Sequence, residues 1–93
     1  MASYSSDQQV ANAIADAQMV PTTQRARLTG IQAEGASGSK IIFKSGGASG
    51  TAIATFEFGS EGIDFYVPGS GILFEEGIYL DLTATPSVTI TFT

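Results

Sequence analysis

Ninety-three residues with a formal net charge of −5 make a chain sized for one domain with one core. Its four cations, Arg25, Arg27, Lys40 and Lys44, are too few for the basic stripe that nucleic acid or an anionic membrane surface requires. Cysteine and histidine are both absent, which excludes a disulfide scaffold and closes the usual zinc and histidine chemistries.

Charged residues make up only 14% of the chain, so much of its surface must be neutral or apolar, and self-association is the usual remedy. No apolar run approaches a membrane span, and no charged stretch followed by an apolar one opens the chain, so neither an anchor nor a secretion signal is expected.

Residues 1–23 stand apart from the rest. Ser5, Ser6 and Asp7 are helix-capping types, and residues 8–20 are rich in Ala and Gln with Val10, Ile14 and Ala17 at helical spacing. Pro21 stops such a helix. The spacing predicts a short N-terminal helix; the competing reading is an extended arm, because residues 13–20 also read as a weak strand. Either form can dock on a partner.

From Gln24 onward the period changes to two. Residues 24–34 alternate around Ala26 and Leu28, with Arg25, Arg27 and Thr29 on the other face, and Gly30 interrupts the alternation where a bulge is expected. Residues 40–44, 51–58, 63–67, 72–74 and 78–83 follow as short strands separated by turns rich in Gly and Ser. In the last strand Val88, Ile90 and Phe92 point one way and Thr89, Thr91 and Thr93 the other, and this alternation places the final residues in the folded sheet. About seven short strands with regular turn signals predict an all-β domain over residues 24–93, a single antiparallel β-sandwich, jelly-roll-like, preceded by the helix or arm of residues 1–23.

Chemistry is sparse along this framework. Lys40 and Lys44 bracket an apolar triplet and read as solvated strand ends rather than as partners of a nucleophilic serine. Glu57, Glu61, Asp64, Glu75, Glu76 and Asp81 could contain a glycosidase pair, and Glu61 and Asp64 with loop carbonyls a calcium ion, but they are better explained as scattered acids that keep a neutral surface soluble. The glycine runs at 35–38 and 46–50 lack the Lys-Ser/Thr of a phosphate loop and read as hairpin connections. No catalytic, cofactor-binding or metal-binding residue is assigned, and no cofactor is expected. Phe65 and Tyr66 face opposite ways, so one of them lies outside the main core, with Tyr66 in a subunit interface or, less favoured, a sugar platform. Arg25, Arg27 and Tyr66 are therefore the candidate contact residues.

Three stretches together resemble a known family: Arg25-Ala26-Arg27-Leu28-Thr29-Gly30-Ile31, Ile42-Phe43-Lys44-Ser45-Gly46, and the hairpin of Gly71-Ile72-Leu73-Phe74 with Gly77-Ile78-Tyr79-Leu80, followed by residues 83–91. Over residues 24–93 the chain resembles small all-β virion proteins of tailed bacteriophages, especially cyanophages. The resemblance implies a structural part of the particle, made in the host cytoplasm and carried in the virion. The favoured role is a capsid decoration or cement protein that forms a homo-oligomer, a trimer for preference, on the major capsid protein. A tail or fibre component is the nearest alternative, and a carbohydrate-binding module the next. Neither nucleic acid nor membrane is an expected partner, and no enzymatic activity is expected.

Overall fold

In a computed structural model the described residues, 9–69 and 71–93, form nine strands and no helix. In chain order they are β1 (Gln9–Ala13), β2 (Ala17–Val20), β3 (Ala26–Glu34), β4 (Ser39–Ser45), β5 (Thr51–Phe58), β6 (Ile63–Tyr66), β7 (Ile72–Phe74), β8 (Ile78–Thr83) and β9 (Ser87–Phe92). All pairings are antiparallel. The larger sheet runs β1-β9-β3-β6, with β7 also on β3; the smaller runs β2-β8-β4-β5. Strands β6 and β7 share one side of β3, β7 against residues 26–28 and β6 against residues 30–33.

The two sheets pack face to face. Leu28, Ile31, Phe74, Val88, Ile90 and Phe92 from the larger meet Ile41, Phe43, Ile78 and Leu80 from the smaller in one buried cluster. Phe43 sits at its centre, edge-on to Phe56 (ring centroids 5.7 Å apart) and tilted against Phe74 (6.2 Å). This is the layering that two sheets, each with one apolar face, adopt to bury both faces at once.

The expected helix is replaced by two strands, which account for nine strands where about seven were expected. Both are edges: β1 pairs β9 and β2 pairs β8, so residues 9–20 add a strand to each sheet. The physical reason is register. Ala11 and Ala13 of β1 turn inward beside Ile90 and Val88, while Val10 and Asn12 face outward. Helix propensity from Ala and Gln is a weak preference, and tertiary pairing overrides it. The helix-capping residues Ser5, Ser6 and Asp7 lie outside the described residues.

The bulge falls where Gly30 announces it. Leu28 pairs Phe92 and Gly30 pairs Thr91, so two steps along β3 match one along β9. The extra residue lets Leu28 and Ile31 both point into the core. Of the two glycine runs, residues 46–50 join β4 to its hairpin neighbour β5, with positive φ at Gly46 and Gly47. Residues 35–38 instead cross from the larger sheet to the smaller, a correction to the hairpin reading. There Ser39, fully buried, accepts a hydrogen bond from Ala36 N (2.7 Å) and places its hydroxyl against the Ala84 carbonyl. One buried hydroxyl thus ties the 35–38 crossing to the loop before β9.

Candidate functional site

The outer face of the larger sheet gathers the candidate residues. Because opposed residues in an antiparallel pair point to the same side, the registers define rows across it. Val10, Thr91, Gly30 and Tyr66 form one row over β1, β9, β3 and β6. Asn12, Thr89, Gln32 and Asp64 form the next. Arg27 lies on the same face nearer the start of β3, opposite Leu73 of β7. Its backbone exchanges both hydrogen bonds with Thr93 (3.0 and 2.9 Å).

Arg27 is half-buried and Tyr66 is 70% exposed, so of the three candidates these two share the face. Arg25 is exposed but stands before β3, outside the ladder. The opposition of Phe65 and Tyr66 is realised: Phe65 turns toward Phe56 (5.5 Å between centroids) and Tyr66 toward solvent.

The face is largely polar, with Arg27, Glu34 and Asp64 as its charged residues. Asn12 stitches β1 to β9 by donating from Nδ2 to Ser87 Oγ (3.1 Å), Val88 O (2.9 Å) and Thr89 Oγ1 (3.0 Å). Thr29 donates to Thr91 (3.2 Å between hydroxyl oxygens), which holds the Thr91 side chain over Gly30. A Cβ on Gly30 would come within 2.6 Å of Thr91 Oγ1, so this position favours glycine for reasons of space. The gap it leaves is the floor of a groove of about 220 Å³ walled by Tyr66, Asp64, Gln32 and Thr89. A helical reading of residues 8–20 hides Asn12, because it masks the alternation of Val10 and Asn12 against Ala11 and Ala13; Gln32 joins the face only through the register of β3 with β9 and β6. That alternation was the available signal.

The smaller sheet shows a different outer surface. Lys40 stands opposite Glu57, and Lys44 forms an ion pair with Asp81 (3.3 Å) while its Nζ also donates to Ala48 O (3.0 Å). Half-exposed as it is, the Lys44 pair contributes little to stability, but it commits the lysine. The acids are dispersed: Glu57 and Asp81 are on this face, Asp64 is on the other sheet, and Glu75 and Glu76 lie in the turn after β7. Among the described residues no three acids converge on a point that could hold a metal ion.

The largest cavity described, about 660 Å³, opens at one end of the sandwich between Ile14, Ala36, Leu82 and Pro86. Its polar lining is already engaged: Asp16 Oδ1 accepts from Leu82 N (2.8 Å), and the Thr85 hydroxyl donates to Thr83 O (2.9 Å). What remains is an apolar concavity with no acid–base pair aimed into it.

No family model matches the chain, and no curated protein matches it in sequence. Among solved structures, a chain from Bacillus endospore appendages, described as a novel family of disulfide-linked pili, aligns over 99% of this chain and 93% of its own length, with 16% identity and a TM-score of 0.47.

Proposed function

We propose that this protein is a non-enzymatic structural component of a tailed-phage particle, a capsid decoration protein that self-associates and binds the major capsid protein through the outer face of the larger sheet. The observation that carries the reading is that face itself. Two adjacent rows of Thr, Asn, Gln and Gly, with one Val, one Tyr and one Asp, lie on a hydrogen-bonded ladder, and covering them desolvates only the charge of Asp64. Tyr66 supplies the exposed aromatic anchor and Arg27 the bidentate donor that such contacts favour. Repetition over a symmetric shell then multiplies individually weak contacts into retention.

The finer fold belongs to the same proposal. The orders β1-β9-β3-β6 and β2-β8-β4-β5 support a jelly-roll arrangement of the kind common in capsid domains.

Quantitative mass spectrometry of purified particles tests the reading, following the tryptic peptide 28–40 against peptides of the major shell protein. A copy number comparable with the shell protein supports decoration, one far below it moves the protein to tail or fibre, and absence from particles ends the virion reading. Tyr66→Ala should fold normally and be lost from particles on washing.

A second reading, a carbohydrate-binding module, is favoured by one detail: Tyr66 stands beside Asp64 and Gln32 at a groove of saccharide size. A glycan array that retains the protein, with binding abolished in Tyr66→Ala, supports that reading instead.

A further inference from the structure

The sandwich has two unlike sides. On one, β1 and β2 are edges of only five and four residues, joined by the short connection 14–16. On the other, β5 borders the smaller sheet with eight residues, and among the described residues no strand lies beyond it. An unpaired edge presents a row of N–H and C=O groups, and proteins guard such rows with lysine, proline, bulges or brevity. The edge formed by β6 and β7 is guarded: β6 has four residues with Pro68 soon after, and β7 has three. Strand β5 contains no lysine and no proline, and its sole charge is Glu57. Its one guard is a register shift at Ile53, which leaves residues 54–58 in regular ladder with β4.

A second observation falls on the same side. Phe56 of β5 and Phe65 of β6 meet across the mouth of the sandwich (5.5 Å between centroids), yet Phe65 is 40% exposed and Phe56, Phe58 and Ile63 are only half-buried. An open backbone edge and an incompletely covered aromatic seam lie side by side.

We propose that β5 pairs antiparallel with β5 of a second copy about a two-fold axis, joining the two smaller sheets into one and covering the aromatic seam. Backbone pairing supplies affinity as in strand addition, and the seam supplies apolar burial. The charges permit a second copy here. Two molecules of net charge −5 repel, so contact is cheapest where charge is sparse. Pairing centred on Phe56 sets Thr55 opposite Glu57 and Ala54 opposite Phe58, which keeps the two Glu57 carboxylates from facing each other. Lys40, beside Glu57 on β4, offsets each of them. An isologous contact closes at two copies, so this geometry gives a dimer rather than the trimer that the family resemblance implies. The inference deepens the self-association in the function proposed above and rests on it for its biological setting; the shell-binding face on the larger sheet stays free.

Sedimentation equilibrium and hydrogen–deuterium exchange on the full chain test it together. The expected result is a concentration-dependent dimer in which the edge-facing amides of residues 54–58, every second one, slow by about tenfold or more as the dimer forms. Thr55→Lys, a charge placed on the edge, should give a folded monomer by circular dichroism and sedimentation, whereas Val10→Lys on the opposite edge should remain dimeric. A monomer at all concentrations, a trimer, or a dimer whose new protection falls outside β5 overturns the proposal. If Thr55→Lys fails to fold, the wild-type exchange pattern still decides. Particle copy number separates the two proposals: a dimer absent from particles defeats the virion reading alone, and a particle-bound monomer defeats the edge pairing alone.

Discussion

Strands β1 and β9 are hydrogen-bonded neighbours across five residue pairs, yet different physics holds each in place. Strand β9 lies between β1 and β3, so its backbone is paired on both sides, and Val88, Ile90 and Phe92 enter the core. Among the described residues strand β1 is paired on one side only; it turns Ala11 and Ala13 inward and leaves Val10 66% exposed. The inner strand is fixed by burial and announces itself by alternation. The edge strand is fixed by its neighbour, through the Asn12 bonds and the ladder, and carries little signal of its own. The difference teaches that a strand is legible by what it buries: β9 turns three large apolar side chains inward, β1 only two alanines.

Substitutions can break or sharpen that contrast. Ile90→Ala removes a fully buried side chain beside both neighbouring strands and should destabilise by about 3–4 kcal/mol in urea unfolding. A cost under about 1 kcal/mol would mean that the inner strand is no better fixed than the edge. Gly30→Ala places a Cβ against the stiff Thr91 side chain of β9 and should cost about 2 kcal/mol. In a double-mutant cycle with Thr91→Ala, about 1 kcal/mol of that should return, because the obstructing hydroxyl is gone.

Asn12→Ala cuts the stitches between β1 and β9 and should cost about 1 kcal/mol, with faster amide exchange confined to β1 and its pairing partners. Val10→Ser, on the exposed side of the same strand, should move stability by less than about 0.5 kcal/mol. If Val10→Ser and Asn12→Ala proved equal, the Asn12 contacts would be incidental and the ladder alone would hold β1.

Part of the candidate site was legible on the same terms. The adjacency of Phe65 and Tyr66 required one to face solvent, and alternation assigned Thr89 and Thr91 to the outer face of the last strand. Arg25 was read onto the face of Arg27 because alternation extends without limit on paper; the ladder begins at Ala26 and leaves Arg25 outside it. Asn12, Gln32 and Asp64 came together only through registers that join strands more than fifty residues apart in the chain, or, for Gln32 and Asp64, across the sandwich from one sheet and back.

By itself the sequence determined the strand character of residues 24–93, the bulge at Gly30, the inward set of the last strand and the absence of thiol and imidazole chemistry. These follow from local periodicity, from the conformational freedom of glycine and from composition, none of which needs a distant partner. Tertiary structure decided that residues 9–20 become two edge strands, that the glycine run 35–38 crosses between sheets, and which side chains share the outer face. Those outcomes depend on pairing between segments far apart in the chain, where burial and backbone hydrogen bonding outweigh the weak local preference of an Ala- and Gln-rich segment for helix.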